Sequence, residues 1–159
     1  MDHKYFAYGS NLVIERITER LGKVKFLGPA SIEDLRLSFN KLGEDGSGKC
    51  NIVKSQGDFV YGVVYQISKL QKEMLDNFER GYSTMSLQIP HVGECVSYSA
   101  IAVTDDNIYL PYDWYKKLVL IGAKRYGFPP KYIAMLEKQK IREDPDDNRR
   151  TKNLEILMQ

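Results

Sequence analysis

Two stretches of this chain carry groups that could do proton chemistry together. The first is Tyr8-Gly9-Ser10-Asn11-Leu12, inside "YFAYGSNL". An aromatic strand that breaks into Gly-Ser-Asn and then opens a helix exposes backbone N–H groups with no partner inside the turn, which suit a carboxylate or an oxyanion. The same residues would also make an ordinary N-capped turn. The second stretch is "LDNFERGY", residues 75–82, where Glu79 falls at the end of a helix. A carboxylate there meets the unfavourable end of the helix dipole, and partial burial raises its pKa as well. Both effects favour a group that exchanges a proton near neutrality, as a general acid-base must. The alternative is an exposed last-turn glutamate.

Other motifs do not carry chemistry. "GEDGSGKC", from Gly43 to Cys50, approaches the phosphate-cradling pattern G-x-x-x-x-G-K-[ST]. Cys50 lacks the hydroxyl that would bind magnesium, and the residues that follow read as a strand where that motif needs a helix. "DPDDNRRTKNLE", from Asp144 to Glu155, places oxygen donors at calcium-loop positions, but Arg149 stands where glycine is required, and Arg150 and Lys152 add positive charge. His3, His91, Cys50 and Cys95 are scattered without metal-ligand spacing.

The elements that must position the two stretches follow from periodicity. Residues 4–8 read as a strand and 11–21 as a helix, with Leu12, Ile14, Ile17 and Leu21 near helical spacing. "VKFLGPASI" and "LRLSFN" read as extended segments, and "KLGEDGSGK" as a loop. "CNIVKS" and "FVYGVVYQI" are β-rich, and Gly62 marks a bulge or a close backbone approach. Ser68 and Gln71 form a capping box opening "KLQKEMLDNFE", with Leu70, Met74, Leu75 and Phe78 as one apolar stripe. "TMSLQI" and "CVSYSAIAV" supply two more strands. A helix from about Asp113 ends near Gly127, and Pro129-Pro130 introduce a last short one, "PKYIAMLEKQKI". Irregularly interspersed strands and helices of this kind predict an α+β domain around a mixed, barrel-like sheet over residues 1–141. Residues 142–159 read as a charged peripheral tail.

Composition bounds the rest. The 159 residues suffice for one domain with a full core. A net charge of +2 gives no strong field toward nucleic acid or a membrane surface. Two cysteines are too few for a disulfide framework, and neither a long apolar run nor a signal peptide is visible, so a cytoplasmic location is expected. Eleven tyrosines are many for this length, and their polar tips suit a pocket lining.

Three segments in this order, "YFAYGSNL", "GVVYQIS…LDNFERGY" and "YKKLVLIGAKRYGFPPKYIAML", resemble the γ-glutamylcyclotransferase family over about residues 4–140. Plant avirulence-induced-type proteins and γ-glutamylamine cyclotransferases are relatives of that family. The resemblance implies a small mixed β-barrel flanked by helices, with the YGSN loop at a cavity mouth. It implies a reaction in which the free α-amino group of a γ-glutamyl moiety attacks its own γ-carbonyl, giving 5-oxoproline and an amine or amino acid, as in glutathione metabolism. A tethered nucleophile closing a five-membered ring is favoured entropically and calls for no cofactor or metal. The family's catalytic glutamate matches Glu79, and its substrate loop maps onto Tyr5, Phe6, Ala7, Tyr8, Gly9, Ser10, Asn11 and Leu12. Its late substrate-contacting tyrosine matches Tyr132. The chain departs from the family at Arg80, which intervenes before Gly81, and at Met85, where many members carry tyrosine. Tyr82 is a candidate substitute for that tyrosine, and Tyr115 and Tyr126 are further candidates for the cavity wall or for simple packing. The implied partner is a small γ-glutamyl compound, with neither nucleic acid nor membrane, and the resemblance allows for a homodimer. The competing readings are the same fold acting on a γ-glutamylated larger metabolite or carrier, and a non-catalytic small-molecule binding module.

Overall fold

The computed structural model describes residues 1–158. Five strands form one sheet: β1 (His3–Ala7), β2 (Lys25–Leu42), β3 (Gly48–Ile67), β4 (Tyr82–Ile89) and β5 (Gly93–Ala100), in the order β2-β3-β1-β5-β4. β1 lies antiparallel to β3, from His3↔Ile67 to Ala7↔Val63, and parallel to β5 through Tyr5↔Val96. Helices α1 (Ile14–Leu21), α2 (Lys69–Phe78), α3 (Asp113–Arg125), α4 (Pro130–Lys138) and α5 (Asp147–Glu155) flank it. Among the described residues, no helix is long and apolar enough to cross a membrane.

The α+β class and the mixed sheet agree with expectation, but hydrogen bonding does not close the sheet into a barrel. β2 and β4 remain its edges, and the sheet curls until one end of it meets the other. The curl is tied where Tyr82 Oη of β4 donates to Cys50 O of β3 at 2.7 Å and Ala100 N of β5 donates to Asn51 Oδ1 at 2.9 Å. The segments read as separate extended pieces are two long strands, β2 and β3, paired as one hairpin with register shifts between Phe26 and Gly28, Glu33 and Leu35, and Ser38 and Lys41. One shift centres on Asp34, at φ 66°, whose Oδ1 accepts from Gly57 N at 2.9 Å. "GEDGSGKC" is the hairpin turn and the start of the strand after it.

Ser68 caps α2 as expected, accepting from Gln71 N while the Gln71 side chain accepts from Ser68 N. Of the α2 stripe only Leu75 is buried; Leu70, Met74 and Phe78 are exposed because α2 sits at the margin of the body. Phe6, Leu12, Ile17, Val60, Leu118 and Leu136 are fully buried in the core.

Gly62 makes the close approach that its sequence position suggested: a Cβ there would lie 2.4 Å from Ala7 O. Gly122 does the same between α3 and the turn after β1, where a Cβ would meet Leu12 Cβ at 2.5 Å. Gly122→Ala is therefore expected to destabilise by about 1–3 kcal/mol through overpacking. In a thermal melt each kcal/mol should lower Tm by ~2–4 °C at this chain length. An unchanged Tm would mean that Leu12 can move aside freely.

The charged segment after residue 141 is peripheral but docked. Asp146 caps α5 by accepting from Arg149 N, Asp144 and Ile156 are buried, and Arg16 Nη1 of α1 donates to Asn153 Oδ1 at 2.8 Å.

Candidate active site

β1 delivers Tyr5 and then stops, and the chain turns through Gly9 into a single 3₁₀ turn, Ser10–Leu12. Leu12 N donates to Gly9 O at 3.1 Å and Val13 N to Ser10 O at 3.3 Å. The amides of Gly9, Ser10 and Asn11 find no acceptor among the described residues. Gly9 is required here by proximity, since a Cβ would lie 3.2 Å from Cys50 Cβ and 3.4 Å from Tyr115 Oη. The turn is clamped from behind by Tyr65, whose hydroxyl donates to Asn11 O at 2.8 Å and to Leu12 O at 3.0 Å.

Glu79 is the C-cap of α2, its N–H donating to Leu75 O at 3.0 Å. Although 68 positions away in sequence, Asn11 reaches it: Asn11 Nδ2 donates to Glu79 Oε1 at 3.3 Å and to Tyr5 Oη at 3.1 Å. Arg20 Nη1 donates to Asn11 Oδ1 at 3.1 Å, which fixes the amide's orientation. The Glu79 carboxyl is held above the ordinary glutamate value of 4.5 by desolvation. Arg20, Arg16, Lys41 and the Asn11 hydrogen bond oppose that shift without cancelling it. The group is therefore a stronger base than a surface glutamate, while three cations keep its ionised form accessible.

These residues line one cavity of about 510 Å³, within the range of small-molecule sites. It brings together Tyr5, Tyr8, Gly9, Ser10, Asn11, Glu79, Tyr82 and Tyr115 of the expected set. The hydroxyls of its wall are engaged: Tyr8 Oη donates to Tyr98 O at 2.5 Å, and Tyr115 Oη accepts from Cys50 N at 3.0 Å. Burial pushes the phenols of Tyr8, Tyr82 and Tyr115 far above their usual range, so they stay neutral hydrogen-bonding walls.

The remaining expected residues lie elsewhere. Phe6 points to the other face of β1 against Gly62, and Leu12 packs on Gly122 of α3. Ala7, buried in the core, does not line the cavity. Met85 pairs with Ser97 inside the β4–β5 ladder and packs against the core, whereas Tyr82 at the start of β4 does line the cavity. Tyr126 stacks on Phe26, with ring centroids 5.1 Å apart.

Tyr132 belongs to a second depression, beside Tyr61 at 5.0 Å and Phe128 at 5.8 Å between ring centroids. The reason is that α4 carries it to a different part of the surface from Glu79. Its buried hydroxyl has no hydrogen-bond partner. Tyr132→Phe is therefore expected to leave turnover within about twofold and to hold or raise stability, because an unsatisfied buried hydroxyl costs ~1–3 kcal/mol. A large rise in KM would place Tyr132 in substrate contact after all.

Arg16, Arg20, Lys41, Lys49, Trp114 and Asn153 also line the cavity and were not singled out from sequence. Arg16 and Arg20 had a readable signal: they stand four residues apart on the helix that the YGSN loop opens, and so share a face. Lys41, Lys49, Trp114 and Asn153 had none, because only the packing of β2, β3, α3 and α5 brings them here.

Comparison with known proteins bears on this arrangement. A model of the AIG2-like family matches residues 59–136. The chain is 32% identical over 160 residues to a γ-glutamylcyclotransferase of Bos taurus, covering 90% of this chain and 85% of that one. To the γ-glutamylcyclotransferase of Homo sapiens it is 34% identical over 143 residues, covering 84% and 76%. A solved γ-glutamyl cyclotransferase structure superposes with a TM-score of 0.82 at 27% identity, over 98% of this chain and 99% of the other.

Proposed function

Because this chain belongs to the γ-glutamylcyclotransferase family and is an enzyme of that kind, we propose that it converts a γ-glutamyl amino acid, peptide or amine to 5-oxoproline, releasing the amine. The observation that carries this reading is the Asn11 bridge, which holds Glu79 beside a loop whose amides are unpartnered. Each half of that arrangement answers one demand of the chemistry.

The α-amino group of the substrate must lose a proton before it can attack the γ-carbonyl, and Glu79 is the carboxylate placed to take it. As the new C–N bond forms, negative charge gathers on the carbonyl oxygen. The amides of Gly9 to Asn11 can hold that oxyanion or the substrate's α-carboxylate. When the old C–N bond breaks, the departing nitrogen needs a proton, and Glu79 returns the one it took. The attacking nitrogen ends as an amide N–H, and the second proton it sheds passes through the same carboxylate to the departing amine, which leaves as its ammonium. The raised pKa suits both directions, since an acid-base is most effective when its pKa approaches the working pH. Closure of a five-membered ring from a tethered amine supplies much of the remaining advantage.

The test is incubation of the purified protein with a panel of γ-glutamyl compounds, scored for 5-oxoproline. Release from at least one member, abolished in Glu79→Gln, is the expected result. If no panel member yields 5-oxoproline, the proposed reaction is wrong.

A further inference from the structure

We propose that Lys41 is the residue that selects the departing amine: its ammonium receives an anionic group carried on the leaving half of the substrate, a role that rests on Glu79 acting as the base. Three observations carry this.

The first is that Lys41 is a buried cation whose ammonium has no hydrogen-bonded or ion-paired partner among the described residues, although its charge acts on the Glu79 carboxylate. Its residue is only 8% exposed, yet among the described residues it makes neither a hydrogen bond nor an ion pair. Its Nζ lies 4.9 Å from the centroid of the Tyr82 ring. The other buried or half-buried cations of the cavity are engaged. Arg16 donates to Ser10 and Asn153, Arg20 to Asn11, and Lys49 to Asp45 at 2.9 Å. An ammonium taken from water and given no acceptor is unfavourable unless a ligand completes it.

The second is direction. Arg16 and Arg20 are tied to Ser10 and Asn11, on the loop side of Glu79. Lys41 stands at the end of β2 beside Gly81, where a Cβ would lie 2.9 Å from its Nζ. Gly81 follows Glu79 by two residues and immediately precedes β4. A γ-glutamyl group seated on the Gly9–Asn11 amides therefore sends its other half past Glu79 toward Lys41.

The third is that the sequence adds charge on that same side. Arg80, the residue inserted between Glu79 and Gly81, sits at the rim with only a 3.9 Å contact to Glu44, both side chains about three-quarters exposed. The cavity as a whole carries five cations against three carboxylates. A substrate whose leaving amine bears a carboxylate balances this excess, whereas an uncharged amine leaves Lys41 unpaired.

The experiment compares γ-glutamylalanine with γ-glutamylethylamide, which is the same compound without the leaving-group carboxylate. Binding is measured by calorimetry and turnover by 5-oxoproline release, for wild type and for Lys41→Met, which keeps length and apolar stem. Wild type is expected to prefer γ-glutamylalanine by about 10- to 100-fold in Kd and kcat/KM, the range of one charge-assisted hydrogen bond. Lys41→Met should lose that preference: the Kd of γ-glutamylalanine weakens while that of γ-glutamylethylamide stays within about threefold, and any fall in kcat from losing a cation that acts on Glu79 is common to both compounds. Lys41→Glu should invert the order. An equal loss of affinity for both compounds would assign Lys41 to the γ-glutamyl half or to structure, and would overturn the proposal. So would a wild type with no preference. If the binding preference appears and follows Lys41 while neither compound is turned over, the selectivity role stands and the proposed reaction fails.

Discussion

Glu79→Gln should lower kcat by at least ~100-fold while leaving the fold intact and substrate affinity changed only slightly. Glutamine keeps the length and volume of the side chain and can still meet Asn11, but it cannot accept the ammonium proton. Positioned acid-base groups contribute roughly 10²–10⁴-fold, about 3–5 kcal/mol of barrier. The same residue fixes a pH dependence. If Glu79 is the base as proposed, the free enzyme needs it ionised, and desolvation lifts its pKa above 4.5. The acid limb of kcat/KM should therefore turn down at a higher pH than an ordinary glutamate would give, and the limb should vanish in Glu79→Gln. A variant that retains more than about a tenth of wild-type turnover would show that the proton goes elsewhere.

Asp144→Ala should be the most damaging substitution far from the chemistry. Asp144 is buried and accepts four hydrogen bonds: from Arg149 at 2.7 and 2.6 Å, from Trp114 Nε1 at 2.9 Å and from Asp146 N at 2.9 Å. Removing it strands the Trp114 donor and leaves a guanidinium without its carboxylate. Breaking such a pair costs about 3–5 kcal/mol when both partners are buried. The Arg149 side chain is 32% exposed and regains some water, so about 2–4 kcal/mol is expected here. That is a fall in Tm of roughly 5–15 °C. The pH dependence has a definite sign. The Arg149 hydrogen bonds hold the Asp144 pKa below the ordinary 3.8. The stabilisation is therefore complete above pH ~4 and is lost as pH falls through the lower, folded-state value. Asp144→Asn isolates the charge, since it keeps an acceptor for Trp114. If Asp144→Asn melts with wild type across the range pH 3–8, the ion pair contributes nothing.

Local chemistry explains which elements are legible in the sequence. The Ser68–Gln71 capping box, the breaks at Gly9 and Gly127, and the alternating strands β4 and β5 are all set by neighbours within a few residues. The continuity of β2 and β3 was hidden because Gly28, Asp34 and Gly57, all at positive φ, interrupt the alternation without ending the pairing. Helix α5 was hidden because it buries none of its own residues and carries few apolar ones; Asp144, Arg149 and Arg150 hold it by charge. The site divides the same way. The YGSN loop and Glu79 announce themselves by residue type at a break in structure. Lys41 and Asn153 are ordinary in sequence, and their positions in the cavity follow only from the curl of the sheet and the docking of α5. Tyr132 lines a different depression because a matching motif does not fix which face of α4 the body covers.

The thin seating of α2 has a consequence for how the enzyme fails. This helix fully buries a single side chain, Leu75, and Glu79 hangs on its last hydrogen-bonded turn. Helix ends with little buried apolar area open at a small fraction of the free energy needed to unfold the whole chain. Amide hydrogen exchange should accordingly be faster for residues 77–79 than for β1 or α3. On warming, turnover should decline ahead of the cooperative melt if Glu79 is the proposed base, because it withdraws by fraying while the sheet beneath it still holds. Activity and global stability are thus separate thermometers in this protein, and the more sensitive one reads α2.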